Sequence, residues 1–507
     1  MKSNKDQTSY AEVNTDEGYE AQGYGNNSKS SWTPFFRQLL FSSTIWTLYF
    51  LYGLHIGAPT VLIAQLRRES KSPSDIDDEM ASWITSIVTF GALPWVFLLP
   101  MISQFMGRKK TFIFIYLSCF VGFLVLYLCK NLTQLLIGEI VLGIVLGCLH
   151  AIGPLTINEY VSPKYRGIFM TIKSASSYWG MWVSNVIGTF MDWKNIVILA
   201  FMCNIYTITV LIWPESPYWL AQNGKVIECM KSHRWLKGNS MEAEKELENI
   251  IRSFKCQEQS NVKSIFSKEY LFTLYKTLSC KAFYKPVSIA SLIVLQYHLS
   301  GKLVCSMYAI ELLKKITKDE STAYRGMLIL DGITVFSVYC GCVLSQFFKR
   351  RTYLLSSSLF AIIFLYILSL YLYLTRESFI PENNIITISL LGFYSVAVSG
   401  GPMILLTSVC GELIPIRYQR SAAIIVGAVA ATVMIITIKS SLFLFKTLTL
   451  AGTFLCFAIL SSIITILLYL YLPETKDRTP LEIENNFVRT SSSNETGKNN
   501  GLMNRYN

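Results

Sequence analysis

The segment SQFMGRK at residues 103–109 returns as SQFFKRR at residues 345–351, about 242 residues further along the chain. Each copy closes an apolar stretch that is long enough to cross a bilayer. A basic segment repeated at the end of two such stretches indicates that one half of the chain is a related version of the other. Two related helical halves are the layout of a secondary transporter, whose binding site lies between them.

Two further echoes occur at nearly the same offset. The segment EYVSPKYRG at 159–167 corresponds to ELIPIRYQR at 412–420, and PESP at 214–217 corresponds to PETK at 473–476. Because three echoes share nearly one spacing, chance is a poor explanation. The sequence therefore predicts a duplicated helical unit.

Composition and segment length predict the fold class. The chain has 507 residues, of which 52% are hydrophobic and 15% charged. Apolar runs of about twenty residues recur, far longer than buried strands. We predict an all-α membrane protein of twelve transmembrane helices in two six-helix pseudo-symmetric halves. The predicted spans are 39–63, 81–103, 111–129, 135–157, 168–190, 195–213, 286–312, 326–347, 353–374, 385–410, 421–443 and 449–472.

These spans divide the chain into five parts. The predicted six-helix halves cover residues 38–213 and 286–472, and a linker with short amphipathic helices occupies 214–285. The polar segments 1–37 and 473–507 are expected to be disordered tails. An even number of spans places both tails on the same side of the membrane.

Charge distribution predicts the orientation. The basic clusters at 108–110 and 349–351 share one side with the Lys-rich linker, which favours the cytoplasm for that side and for both tails. Arg67 and Lys314 lie on the opposite side. The net charge of +12 is assigned to loops that meet anionic lipid, not to nucleic-acid binding. We expect a multi-pass protein of the plasma membrane.

Two signature segments carry a family resemblance. PESPYWL at 214–220 resembles the sequence that follows the sixth helix in the sugar porter family of the major facilitator superfamily, and PETK at 473–476 resembles that after the twelfth. The similarity covers nearly all of residues 40–487, and the spacing within 159–167 looks closest to insect facilitated trehalose transporters. The signature residues are Pro214, Glu215, Ser216, Pro217, Pro473, Glu474, Thr475 and Lys476.

The resemblance implies a cytoplasmic gate made of charges at matching positions of both halves. Ion pairs there would form when the cytoplasmic side closes and break when it opens. The alternative is that these charges only anchor helix ends in the membrane interface. The family's usual Asp in the loop after the second helix is replaced by Gln104, and Gln346 holds the equivalent position. The expected gate residues are Arg108, Glu159, Arg166, Arg350, Glu412 and Arg420.

The sugar-binding positions depart from the family pattern. The seventh helix shows Tyr297, His298 and Leu303 where two Gln and an Asn are usual, and Ala430 and Ala431 replace an Asn–Trp pair. A buried polyol needs its hydroxyls paired, because each unpaired one costs about 1–3 kcal/mol. Such a site suits either a sugar or a less hydroxylated, more aromatic solute. The candidate binding residues are Ser174, Gln296, Tyr297, His298, Tyr308, Thr334 and Thr407.

Ionisable residues inside spans give a candidate coupling pair. His55 and Glu139 occupy positions where proton-coupled relatives carry an Asp and an Arg, and such residues are costly within a bilayer unless partnered. We predict that they form a hydrogen-bonded pair that is pH-sensitive near neutrality. The alternative is that His55 faces a watery vestibule and Glu139 snorkels. Lys173 is expected to snorkel to the cytoplasmic surface.

No motif for a cofactor, a metal or ATP is found in the sequence, so we do not expect an enzyme. The expected partners are a small-molecule solute and the lipid bilayer, with no nucleic acid. The expected function is facilitative transport of a sugar, trehalose or a hexose, by alternating access. The alternatives are a transporter-like solute sensor without net flux and a transporter, with or without proton coupling, of a non-sugar organic solute.

Overall fold

The computed structural model of this chain describes residues 32–69, 76–258, 281–317, 319–381, 383–414 and 419–476. Most of the two predicted tails, residues 1–31 and 477–507, lies outside these ranges.

In the first half, the described residues 32–69 and 76–213 form seven α-helices, the last of which continues as a 3₁₀-helix at Thr207–Ile212. Apolar side chains from all of them meet in one core. The helices are α1 (Thr33–Glu69), α2 (Asp78–Met106), α3 (Arg108–Leu128), α4 (Leu132–Ala151), α5 (Gly153–Tyr160), α6 (Pro163–Phe190) and α7 (Lys194–Tyr206).

Between residues 214 and 258, the described part of the linker forms three helices beneath the first half. They are α8 (Pro217–Gln222), α9 (Val226–Lys237) and α10 (Met241–Glu258). Residues 242–254, whose apolar side chains recur at helical spacing, lie within α10. Leu247 and Ile250 of this helix pack with Cys229 in a small apolar cluster. These contacts fix the linker helices to one another at one end of the bundle.

In the second half, the described residues 281–317, 319–381, 383–414 and 419–472 form nine α-helices. They are α11 (Lys281–His298), α12 (Lys302–Met307), α13 (Ala309–Thr317), α14 (Glu320–Phe347), α15 (Arg350–Arg376), α16 (Asn384–Gly400), α17 (Pro402–Leu413), α18 (Gln419–Thr447) and α19 (Thr449–Tyr471).

Within the described residues, eleven helical segments are long and apolar enough to cross a membrane. The remaining predicted span, 168–190, corresponds to α6, which is 28 residues long but more polar than the others. A helix of that length measures about 42 Å, so it can also cross. The predicted all-α fold with two helical halves is confirmed.

Three predicted spans are not continuous helices. The fourth breaks at Ile152 before Gly153, the seventh between His298 and Lys302, and the tenth at Gly401. Proline follows the first and third breaks and lacks an N–H for the helical ladder. Gly301 supplies the second break because its φ of +82° is readily adopted only by glycine.

Helices α1 and α6 touch backbone to backbone. A Cβ added at Gly53 would lie 1.9 Å from the Ser177 carbonyl oxygen, and one at Gly180 would lie 2.2 Å from that of Phe50. Small residues allow such contact between helices in membranes. The contact holds α6 close against α1 where both approach the second half.

We expect Gly180→Ala to destabilise the protein by about 1–3 kcal/mol, because the new methyl group would force the two backbones apart. Gly167→Ala, in the same helix, is the matched control. Nothing lies within 4 Å of a Cβ at that position, and alanine should stabilise the helix by about 0.5–1 kcal/mol.

The unfolding midpoint in detergent of both variants and the wild type measures these effects. Equal midpoints for the two variants would contradict the backbone contact.

Candidate solute site and gates

The bundle has two ends, which we name by position. The linker side carries α8 to α10, and the distal side is opposite. On the linker side, the guanidinium of Arg108 forms a two-pronged ion pair with Glu159: Nε donates to Oε2 at 2.9 Å and an Nη donates to Oε1 at 2.7 Å. The two side chains are 2% and 8% exposed. The Ser216 hydroxyl also donates to Glu159 Oε2, at 2.7 Å.

The second half carries a looser copy of this arrangement. Arg350 Nε lies 3.4 Å from Glu412 Oε1, and the Thr475 hydroxyl donates to Glu412 Oε2 at 2.6 Å. The two charged side chains are 20% and 31% exposed. Solvent therefore weakens the second ion pair relative to the first.

The signature carboxylates fasten the same loops through the main chain. Glu215 Oε1 accepts the N–H of Arg108 at 2.7 Å, and Glu474 Oε1 accepts that of Arg350 at 2.9 Å. Burial raises the pKa of Glu215, while hydrogen bonds from the N–H groups of Ser216 and Arg108 act in the opposite direction. We call Arg108, Glu159, Glu215 and Ser216 the first clamp, and Arg350, Glu412, Glu474 and Thr475 the second clamp.

Gln104 and Gln346 stand where the family usually has an Asp. Both accept hydrogen bonds through their main-chain carbonyls. The Gln104 carbonyl accepts the indole N–H of Trp219 at 2.7 Å, and the Gln346 carbonyl accepts Lys476 Nζ at 2.6 Å. Arg166 donates to the Asn158 carbonyl at 2.9 Å. The side chain of the other expected gate residue, Arg420, lies outside the described part of the structure.

The distal side is closed by contacts between the halves. Arg67 pairs with Glu311 at 2.7 Å, and Lys446 Nζ lies 2.8 Å from Asp78 Oδ2. Arg68 also pairs with Glu320. Sequence reasoning noted basic residues here but not their partners, which come from distant segments of the chain.

The predicted binding residues lie in three separate places: beside the contact between α6 and α11, towards the distal side, and within the second half. Tyr297 and Tyr178 share a hydrogen bond of 2.8 Å between their hydroxyl oxygens, which joins α11 to α6 across the halves. Gln296 and His298 are buried beside them. Ser174 lies on α6 and donates to its own helix, at the Met170 carbonyl.

The other predicted residues lie further apart. The Tyr308 hydroxyl bonds to that of Thr85 where α2 meets the second half, towards the distal side. Thr334 lies on α14 within the second half. The side chain of Thr407 is outside the described residues.

The sequence did not predict the buried polar network around Thr334. Lys302 Nζ donates to the hydroxyls of Thr334 at 2.9 Å and Ser395 at 2.7 Å. On the same helix as Thr334, Asp331 accepts Asn185 Nδ2 at 2.6 Å, a contact that crosses between the halves. A lysine and an aspartate inside apolar runs were the available signal, because ionisable residues are rare there unless partnered.

The structure brings His55 and Glu139 together. His55 Nε2 lies 2.8 Å from Glu139 Oε2, and the side chains are 5% and 3% exposed. The ring of Phe123 lies beside His55, with 6.4 Å between ring centres. The pair is therefore enclosed within the first half, and neither residue snorkels.

The expectation for Lys173 is wrong. Its side chain is 1% exposed and does not reach the surface. Its Nζ lies 5.1 Å from the ring centre of Tyr49 on α1. The tight α1–α6 contact covers the lysine, so its long stem has no path to the linker-side surface.

Residues 40–487 match the family model described as sugar (and other) transporter. The chain belongs to this family. The family comprises transporters rather than enzymes, and with the apolar helices it indicates a multi-pass membrane protein.

Individual relatives are similar at low identity. The facilitated trehalose transporter Tret1 of Apis mellifera ligustica is 23% identical over 458 residues, which cover 89% of this chain and 88% of that protein. Tret1 of Bombyx mori is 24% identical over 424 residues, covering 81% of this chain and 79% of that protein.

A solved structure shows the same fold. The proton:xylose symporter XylE bound to 6-bromo-6-deoxy-D-glucose superposes with a TM-score of 0.72 at 16% identity, covering 90% of this family member and 99% of XylE. The major facilitator fold implied by the family resemblance is thus confirmed.

We expect Glu159→Gln to destabilise this transporter by about 3–5 kcal/mol, because it leaves the buried Arg108 without its counter-charge. Glu412→Gln makes the same chemical change in the half-exposed second clamp and should cost about 0–1 kcal/mol. Unfolding midpoints of both variants in detergent measure the difference. A loss at Glu412 equal to that at Glu159 would contradict the unequal strength of the clamps.

Proposed function

We propose that this protein is a facilitative transporter of a sugar, a hexose or a disaccharide such as trehalose, and that it works by alternating access. The observation that carries the proposal is the match of nearly the whole chain to a transporter family. The names of its relatives, trehalose transporters among them, support a sugar as the solute.

The contacts between the halves fit a rocking mechanism. The distal pairs Arg67–Glu311 and Lys446–Asp78 join different halves, so they must break when the distal side opens. Arg108 and Glu159 both belong to the first half, and Arg350 and Glu412 both belong to the second. Unlike the gate pairs expected from the resemblance, these ion pairs can therefore stay intact while each half moves as a body. The described conformation is the state of this cycle that is closed on the distal side.

We further propose that the linker side faces the cytoplasm and that the membrane is the plasma membrane. Basic residues at 108–110 and 349–351 support this orientation, because cytoplasmic loops carry an excess of Lys and Arg. The solute would then enter from outside and leave on the linker side.

Uptake by purified protein in liposomes tests the proposed function. We expect saturable uptake of labelled trehalose, glucose or fructose, accelerated when unlabelled solute is loaded inside. Empty liposomes give the background, and a parallel series with an imposed pH gradient reports any proton coupling. Saturable binding of these sugars without flux would contradict transport and favour a sensor.

We also propose that the His55–Glu139 pair couples transport to pH. The 2.8 Å contact supports the proposal, because ionisable residues within a span are costly unless they are partnered, and partnered ones mark proton pathways in transporters. Both residues lie in spans that must move together with the first half.

We expect His55→Gln and Glu139→Gln each to slow transport and to flatten its dependence on pH, because each removes one member of the buried pair. The double variant should cost less than the sum of the single ones, because the two residues act as one unit. His233→Gln, in the linker, is the control for histidine titration elsewhere. Unchanged rates and pH profiles in all three pair variants would exclude coupling through this pair.

A further inference from the structure

A lysine and an aspartate line one cavity inside the second half. The cavity has a volume of about 20 Å³ and is bounded by α12, α13, α14 and α16. Lys302 of α12 and Asp331 of α14 both line it, and each is 3% exposed. Among the described residues, neither forms an ion pair at contact distance. A charge buried in this way is costly unless a counter-charge lies close.

The described partners of Lys302 are neutral. Its Nζ donates to the hydroxyls of Thr334 at 2.9 Å and Ser395 at 2.7 Å. These two contacts use two of the three donors of an ammonium group. The hydroxyls accept hydrogen bonds without cancelling the positive charge. The charge and the third donor therefore remain for a group in the cavity.

Asp331 is likewise bonded to a neutral group. Its Oδ2 accepts Asn185 Nδ2 at 2.6 Å, across the boundary between the two halves. This contact uses one of the two carboxylate oxygens, and an amide supplies no counter-charge. Lys302 is the cation that lines the same cavity. The two charges are therefore placed to compensate each other across the cavity.

The size and polarity of the cavity suit one water molecule. A volume of about 20 Å³ is enough for one water, which needs about two to four polar partners. Lys302 provides a donor and Asp331 an acceptor, and Ser306 lies on the same wall. A water here accepts from the ammonium group and donates to the carboxylate, so it joins the two charges.

The bond between Asn185 and Asp331 lies where α6 and α14 separate when the distal side opens. Asn185 is five residues before the distal end of α6 at Phe190, which is about 8 Å. One turn nearer the linker side, Trp182 Nε1 donates to the Leu328 carbonyl at 3.2 Å, so the contact between the halves continues along α6. Distal opening must therefore break the bond between Asn185 and Asp331.

We propose that Lys302 and Asp331 form a water-bridged ion pair, and that this pair positions Asp331 to hold the distal side closed through Asn185. The inference rests on the proposed alternating-access function and names positioning residues for it. Lys302 and Asp331 both belong to the second half, so the pair stays together when the halves separate. Opening then breaks a hydrogen bond without leaving an isolated buried charge.

Lys302 matters because it keeps Asp331 ionised. A hydrogen bond to an ionised acceptor is stronger than one to a neutral group, whereas a buried carboxylate without a counter-charge becomes neutral by binding a proton or requires water. Cys305 and Tyr394 also line the cavity, and both are ordinarily neutral near pH 7. The α13 wall of the cavity is apolar, and α6 presents the uncharged Asn185. Without Lys302, closure of the distal side should therefore depend on the protonation of Asp331.

Spin labels in place of Lys194 and Ser321 report distal opening directly. Both positions are exposed, one at the start of α7 in the first half and the other at the start of α14 in the second. A ketone-bearing amino acid carries each label, so the native cysteines stay unlabelled. Double electron–electron resonance on the full chain in nanodiscs gives the fraction of open molecules at about pH 6 and about pH 8, on either side of neutrality. This measurement needs no solute flux.

Lys302→Met should make distal opening depend on pH. We expect the open fraction to rise from about pH 6 to about pH 8 by about tenfold or more beyond any rise in the wild type, because the uncompensated carboxylate then draws water. The double variant Lys302→Met/Asp331→Asn lacks both charges and should return to the wild-type profile. Lys130→Met removes an exposed lysine on the distal side and is the control. Any response of the His55–Glu139 pair is common to all these proteins and cancels.

Asn185→Leu tests the contact between the halves while leaving the ion pair in place. It should raise the open fraction at both pH values by about tenfold or more, the size of effect expected for a hydrogen bond to a charged group. Thr189→Val is the matched control, one turn further along α6. Its hydroxyl donates only to the carbonyl of Asn185 in its own helix, at 2.6 Å, so this variant should behave as wild type.

Each outcome bears on one part of the inference. A wild-type pH profile in Lys302→Met, or a pH dependence that the double variant retains, overturns the ion pair. Wild-type distances in Asn185→Leu overturn the role of Asp331 in closure. If Lys302→Met does not fold, recovery of folded protein in the double variant supports the pair and failure to recover it overturns the pair. Solute uptake in liposomes is a separate measurement: its absence removes the transport function, and the distances still judge the pair.

Discussion

The burial of Arg108 constrains the whole linker side of the first half. A guanidinium that is 2% exposed needs partners for its donors, and Glu159 and the Ser103 carbonyl supply them. Glu159 is in turn held by Ser216, and Glu215 receives the main-chain N–H of Arg108. The loop after α2, the end of α5 and the segment after the 3₁₀-helix therefore converge on one charge. The signature segment that suggested the family is the part that closes this arrangement.

The second clamp has the same connections as the first but is more exposed to solvent. Arg350 and Glu412 are 20% and 31% exposed and stand 3.4 Å apart, while Thr475 and Glu474 keep the roles of their counterparts. Duplication has thus preserved the geometry while the strength of the two ion pairs has diverged. The two halves are related in architecture but not equal in rigidity at their linker-side ends.

Sequence reasoning succeeded where one segment carries enough information. The repeats gave the two helical halves, and the rarity of ionisable residues in spans brought His55 and Glu139 together as a pair before their 2.8 Å contact was seen. It failed where partners come from distant helices. Lys302 is bonded to hydroxyls on two other helices, and the environment of Lys173 is set by the close approach of α1. Broken spans were also missed, because an apolar run has the same length whether or not its helix is continuous.

The backbone contact of Gly53 with α6 has a consequence for how the protein adapts. Where side chains interlock, a substitution on one helix can be offset by a smaller partner on the other. Here Gly53 meets the Ser177 carbonyl and Gly180 meets that of Phe50, so no partner side chain exists that could shrink in compensation. Helices α1 and α6 must therefore keep their spacing through any change of specificity. Residues of α6 such as Lys173 and Ser174 can change without altering this spacing.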